Sequence, residues 1–164
     1  MKRYAVAFTG PSGSGKTTLI EKVAKELITK REVAIIKHDP KDKGVFDKEG
    51  KDSYKFSQTG AEVVVSSPTR TTYFSKRNKE LDEIIDMFNH FDILLVEGLK
   101  TLPLPRIAIF RDSIEEHYLS CSEAIAIDST IDTTQYNIPD HIDILDLNNT
   151  QRIIEWIDKN AKEI

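Results

Sequence analysis

Gly10-Pro11-Ser12-Gly13-Ser14-Gly15-Lys16-Thr17-Thr18 joins the apolar run Tyr4–Phe8 to a helical pattern that begins at Thr17. The string fits G-x-x-x-x-G-K-[ST], the P-loop, in the context its mechanism requires: strand, glycine-rich turn, helix start. Glycines let the backbone close around a phosphate, so that successive N–H groups and the helix dipole point at the anion. On this reading Gly10, Gly13, Ser14, Gly15, Lys16, Thr17 and Thr18 hold phosphate. Lys16 reaches the β- and γ-phosphates, and the Thr17 hydroxyl ligates Mg²⁺.

A metal beside a triphosphate also needs a carboxylate at the end of a buried strand. Glu97, closing the run Asp92-Ile93-Leu94-Leu95-Val96, is the candidate, and Gly98 after it leaves room for phosphate. Asp92 is at the wrong end of that strand, about 16 Å away at 3.3 Å per residue. Asp39, after the second apolar run, is a candidate to assist the metal or orient an attacking group; a plain turn before Pro40 explains it almost as well. His38 reads as a hydrogen-bonded strand-end residue. In the polar loop after it, Lys51 and Asp52 are candidates to touch substrate or phosphate, against the ordinary reading of a solvated charge run. Lys100, Arg106 and Arg111 are basic groups available to neutralise an anion, with simple surface solvation as the alternative. The guanine-reading string N-K-x-D is absent, because Asn78-Lys79-Glu80-Leu81 lacks its Asp. Asp128, just past the run Ala124–Ile127, could accept from a guanine edge.

The elements that must position these groups alternate. Strands are expected at Tyr4–Phe8, Val33–Ile36, Ala61–Val65, Thr69–Phe74, Asp92–Val96, Arg106–Phe110, Ala124–Ile127 and Ile142–Leu147. Paired apolar residues every four positions mark a helix over Thr17–Lys30; others fall over Ser53–Thr59, around Leu81–Phe88, and from Asn149 or Thr150 through Ile157. This order predicts a three-layer α/β domain of the P-loop NTPase type with a mainly parallel twisted sheet, spanning residues 1–164 as one domain. In such sheets ligands bind beyond the carboxyl ends of the strands, where Gly10, His38 and Glu97 converge.

A net charge of −4 over 164 residues argues against a general nucleic-acid or anionic-membrane surface. Cys121 is alone, which excludes an internal disulfide and a cysteine metal cluster. The N-terminus lacks the pattern of a signal peptide, and no apolar run reaches transmembrane length, so a cytoplasmic location is expected.

With these residues assembled, the chain resembles the MobB-type family of molybdopterin-guanine dinucleotide biosynthesis adapter proteins. The matching pieces are Gly10–Thr18 with Leu19-Ile20-Glu21, Ile36-Lys37-His38-Asp39, Phe46-Asp47, Gly50-Lys51-Asp52-Ser53, Gly60-Ala61, Val96-Glu97-Gly98-Leu99-Lys100 and Pro105-Arg106-Ile107 through Arg111. The resemblance implies a GTP-binding, Mg²⁺-dependent homodimer with weak GTPase activity. It also implies work beside the enzyme that joins molybdopterin to a guanine nucleotide, and possible contact with molybdopterin itself. Thr17 and Glu97 would serve the metal, and the Gly50–Ser53 loop would belong to the site. One departure stands out: where relatives carry a second histidine soon after His38-Asp39, this chain has Pro40-Lys41. A small-molecule kinase passing the γ-phosphoryl group of ATP or GTP to an acceptor uses the same turn and metal. So does a non-catalytic module whose P-loop orders a dimer, and the residues alone leave all three open.

Overall fold

Ala5 to Phe8 are wholly buried, and that burial decides where the rest of the chain goes. They belong to β1 (Tyr4–Thr9), the centre of a seven-stranded sheet in the computed structural model, which describes residues 2–164. A strand covered on both faces reads as an unbroken apolar run. β1 leads through the glycine-rich turn into α1 (Lys16–Leu27) and on to β2 (Val33–Lys37). The chain then forms α2 (Asp52–Gln58), β3 (Val63–Ser66), β4 (Thr71–Phe74) and α3 (Leu81–Asp86). It returns as β5 (Ile93–Glu97), β6 (Arg106–Ile109), β7 (Ala124–Ile127), β8 (Asp143–Asp146), α4 (Thr150–Asn160) and the two-residue β9 (Lys162–Glu163).

The strand order is β2-β5-β1-β6-β7-β8, all parallel. Phe8 pairs with Glu97 and Lys37 pairs with Glu97, which sets three strand ends side by side. β6 meets β1 only from Ala7 onward, and β9 pairs antiparallel with Tyr4 and Ala5 ahead of it. This is a mainly parallel α/β sheet, as the alternating pattern predicts.

One face packs Val6, Phe8, Leu95, Ile107 and Ile109 against Leu19, Ile20, Val23 and Leu27 of α1 and Ile153, Ile154, Trp156 and Ile157 of α4. The Trp156 indole donates to Asp143 at 2.7 Å, so its N–H is satisfied as it enters the core. On the other face Ala108, Phe110, Ile125 and Ile127 pack against Ile114, Tyr118, Leu119, Ile131 and Ile142. Those come from a 3₁₀ helix, Glu116–Cys121, and from coil. Short 3₁₀ turns have no 3.6-residue stripe to read, so the sequence pattern misses them, and β9 is too short to register.

By its contacts the chain divides into two compact units, Met1–His38 with His90–Ile164, and Asp39–Asn89. The second unit holds α2, α3 and an antiparallel β3–β4 hairpin in register Val63↔Phe74 to Ser66↔Thr71. The sequence marks both strands, but they form their own two-stranded sheet rather than joining the parallel one. A reciprocal box, Glu80 with the Glu83 amide and Glu83 with the Glu80 amide, starts α3. Val64 and Val65 of the hairpin are exposed.

Leu95→Ala is expected to lower unfolding free energy by about 2–5 kcal/mol, because it empties a wholly buried site. Ile28→Ala, at an exposed position, is expected to change it by less than about 0.5 kcal/mol. Urea unfolding of both variants checks the contrast.

Candidate functional site

The turn after β1 takes the shape that its glycines allow. Gly10 has φ of +135°, and a Cβ there would stand 2.4 Å from the Ile109 carbonyl oxygen on neighbouring β6. Only glycine lets the chain pass that backbone. Gly15 follows at φ +96° as the residue preceding α1, and no side chain among the described residues caps the helix. The first amides of α1 therefore keep their donors, and the positive end of the helix dipole faces the turn. Ser14 is buried at 4% exposure, yet its Oγ has no partner among the described residues. Gly13 has open space where a side chain would be. An unsatisfied hydroxyl, free amides and an open Gly13 suit a cradle for a phosphate.

Lys16 is folded back over this turn. Its Nζ donates to the carbonyls of Gly10 at 2.9 Å and Pro11 at 2.6 Å. Its pKa lies below the ordinary lysine value. Burial is the largest cause, Glu97 pulls the other way, and Lys37 and Lys100 push it down further. Lys16 is thus in the field of the other three charged groups.

Glu97 ends β5 where the sequence places it. Its carboxylate receives both hydrogen bonds from Lys37 Nζ, at 3.1 and 3.2 Å, across the β2–β5 register. Sequence reasoning singled out the strand-end carboxylate and missed this partner, although Ile36-Lys37 sits at the end of the neighbouring apolar run. Gly98, read from the sequence as leaving room for phosphate, stands against His38. Its φ is +90°, and a Cβ there would press 3.2 Å from His38 Cβ. The glycine serves the packing of two strand ends. Leu99 also adopts a positive φ, of 50°.

Arg106 departs furthest from expectation. It is 2% exposed and unavailable as a surface cation. Its Nη1 donates to Cys121 O at 3.2 Å, and its Nη2 donates to Leu99 O at 2.9 Å and Leu102 O at 3.3 Å. The guanidinium pins the loop that follows Glu97-Gly98. Lys100 lies with Nζ 3.8 Å from the Tyr118 ring centroid, a cation–π contact. Arg111 approaches the turn itself, its Nε 3.3 Å from where a Gly15 Cβ would be. Asp92 stands at the other end of β5 and accepts from the Glu32 amide at 2.8 Å, as its position predicts.

Asp39, Lys51 and Asp52 fall in the second unit. Asp39 accepts from the amides of Lys43 at 2.8 Å and Gly44 at 2.7 Å, an arrangement that orders the start of the loop. Lys51 precedes α2 in extended conformation, and Asp52 opens that helix with Lys55 3.6 Å away. Both are exposed.

No group of three or more His, Cys, Asp or Glu among the described residues could hold a metal ion. Mg²⁺ is often held by one or two protein oxygens together with phosphates and water, and Thr17 with Glu97 fits that mode. The donor set suits a metal that arrives with a nucleotide.

A parallel sheet whose central strand runs through such a turn into a helix defines the P-loop NTPase class. A family model described as molybdopterin guanine dinucleotide synthesis protein B matches residues 5–130. The chain is 34% identical over 161 residues to the molybdopterin-guanine dinucleotide biosynthesis adapter protein of Haemophilus influenzae, covering 93% of this chain and 86% of that one. To the Escherichia coli adapter protein it is 30% identical over 168 residues, covering 94% and 93%. The crystal structure of Bacillus subtilis MobB superposes with a TM-score of 0.75 at 22% identity, over 96% of this chain and 98% of that one. This chain belongs to the MobB family.

Gly10→Ala is expected to cost about 2–4 kcal/mol through backbone strain and the clash with Ile109, measured by urea unfolding. Side-chain NMR of Lys16 is expected to titrate below an ordinary lysine. Adding inorganic triphosphate with Mg²⁺ should move that titration upward, because anions favour the charged form.

Proposed function

We propose that this chain is a GTP-binding adapter with weak Mg²⁺-dependent GTPase activity, acting in molybdopterin-guanine dinucleotide biosynthesis. The observation that carries the reading is the uncapped start of α1 behind Gly10–Gly15, with Lys16 and Glu97 in one electrostatic field. Gly13, Ser14, Gly15, Lys16, Thr17 and Thr18 bind the phosphates. Lys16 exchanges the carbonyls of Gly10 and Pro11 for phosphate oxygens, trading neutral acceptors for charged ones. Thr17 and Glu97 serve Mg²⁺, and Glu97 gives up its pair with Lys37 to do so. The ion, when bound, neutralises charge developing on the γ-phosphate.

Asp39 is proposed to order an attacking water, and Lys51, Asp52 and Lys100 to engage the nucleotide. No glutamine stands in an obvious water-positioning place after Glu97, which agrees with slow turnover. The partner is the enzyme that guanylates molybdopterin, and molybdopterin itself is a further candidate ligand. The assembly is a homodimer in the cytoplasm; Val64 and Val65, exposed on the two-stranded hairpin, offer apolar surface for a second copy. No helix among the described residues is long and apolar enough to cross a membrane.

Calorimetry with GTP and Mg²⁺ tests this reading. Lys16→Ala is expected to weaken GTP by about 10- to 100-fold, the worth of charge-assisted bonds to phosphate, with an unchanged circular dichroism spectrum. Unchanged affinity would reject the site. Glu97→Gln is expected to keep nucleotide binding while losing most Mg²⁺ dependence and phosphate release. Turnover equal to the parent's would reduce Glu97 to a strand-end residue. Radiolabelled GTP should yield free phosphate; label on an added acceptor would establish a kinase instead.

A further inference from the structure

Arg106 carries a full charge into the chain at 2% exposure. Its guanidinium donates to carbonyls alone, those of Cys121, Leu99 and Leu102. A guanidinium has five N–H groups, and the Nε of Arg106 has no acceptor among the described residues. Glu123 does not neutralise it, because that carboxylate accepts from the Arg106 backbone amide at 2.7 Å. Buried arginines are ordinarily paired with an anion, since a charge out of water keeps only what its surroundings return. Neutral carbonyls hold the loop here and leave the charge uncompensated.

That charge lines a groove. A hollow of about 610 Å³ opens at the amino end of β6, within the range of small-molecule sites. Leu102, Pro103, Leu104 and Pro105 form its apolar wall. Lys100 and Lys162 line it together with Arg106, against Glu123 as its one carboxylate. The lining is thus positive in a chain of net charge −4. Strand pairing brings two of the cations together. Lys162 pairs with Ala5 and Arg106 with Ala7, on the edge of β1 away from β5. Ala5 and Ala7 are about 7 Å apart along the strand and share a face, so both cations leave the same face of the sheet. Lys162 is exposed, and its Nζ rests on the Pro103 carbonyl at 3.1 Å. The phosphate turn is elsewhere: Gly10 meets Ile109, about 10 Å further along β6 than Arg106.

We propose that this groove binds a small organic oxyanion, a ligand carrying a phosphate or carboxylate on an apolar body. Lys162 meets the anion at the mouth, exchanging the neutral Pro103 carbonyl for a charged oxygen. Arg106 acts from below through its field, which surroundings of low dielectric leave strong. The Leu102–Pro105 wall covers the apolar body. Cys121, the single cysteine of the chain, is half-buried on the same groove and reports on its occupancy.

Titration of the chain with phenyl phosphate, benzoate and neutral phenol tests the assignment. The readouts are the Arg106 Nε–H resonance and the rate at which iodoacetamide alkylates Cys121. At least one of the two anions is expected to saturate with a Kd on the order of 1 mM, ordinary for a ligand of so few atoms. It should move the Nε–H resonance and slow the alkylation, and the tighter of the two identifies the oxyanion. Phenol is expected to bind about tenfold more weakly or worse, for want of a charge-assisted contact. Lys162→Glu, at an exposed position that folding tolerates, should weaken the anion about tenfold. Lys16→Ala should leave it unchanged. An Nε–H resonance or an alkylation rate indifferent to both anions overturns the proposal. So does phenol binding as tightly, or Lys162→Glu with the parent's affinity. A response lost in Lys16→Ala also overturns it, by placing the anion on the phosphate turn.

Discussion

A helix that begins without a cap next to the central strand of a parallel sheet is the constraint on which this structure depends. Among the described residues no side chain caps the first amides of α1, and the dipole concentrates positive potential at the same place. At α4 such an end is closed by a side-chain oxygen, Asn149 accepting from the Arg152 amide at 3.1 Å, whereas α2 begins behind Lys51 with no such bond. At α1 the residue in that position is Gly15, which has no side chain to offer. The core supplies the rigidity. Leu19, Ile20, Val23 and Leu27 anchor α1 to strands that are wholly buried, so the open end stays where the strand ends converge.

Each charge around the turn has a protein partner. Lys16 rests on two carbonyls, Lys37 on Glu97, and Lys100 on the face of Tyr118. Of the three, Lys16 alone rests on neutral acceptors, and a phosphate would offer it charged ones. Three lysines and one carboxylate around an uncapped helix give a net positive field within a chain of net charge −4. The arrangement favours an incoming polyanion over a neutral ligand. Arg106 contributes from behind: it is buried, and it fixes the carbonyls of Leu99 and Leu102 just after Glu97-Gly98.

Much of the architecture is legible in the sequence because the parallel strands are continuous apolar runs and α1 and α4 carry clear stripes. Strand ends locate Glu97 and the turn for the same reason. What escapes is set by pairing rather than by local pattern. The Lys37–Glu97 contact depends on β2 lying next to β5, an adjacency no spacing in the chain displays. Arg106 looks like a solvated cation until the sheet buries it, and the approach of His38 to Gly98 depends on β2 and β5 lying side by side. β3 and β4 are recognisable as strands, but their exposed valines and antiparallel register put them in a sheet of their own. Asp128 is visible as a strand-end acid, while its link to the turn through Arg111 emerges only when β6 and β7 are side by side.

The account centres on the glycine-rich turn as a phosphate cradle, and a crystal grown with a non-hydrolysable GTP analogue and Mg²⁺ tests that most directly. The account predicts phosphate oxygens on the amides from Gly13 to Thr18 with the turn's backbone almost unmoved. Lys16 Nζ would be off the Gly10 and Pro11 carbonyls, and the metal beside Thr17 Oγ1 and Glu97. A triphosphate seated elsewhere on the sheet, or a turn that must refold around Gly10 and Gly15 to accept it, would contradict the account.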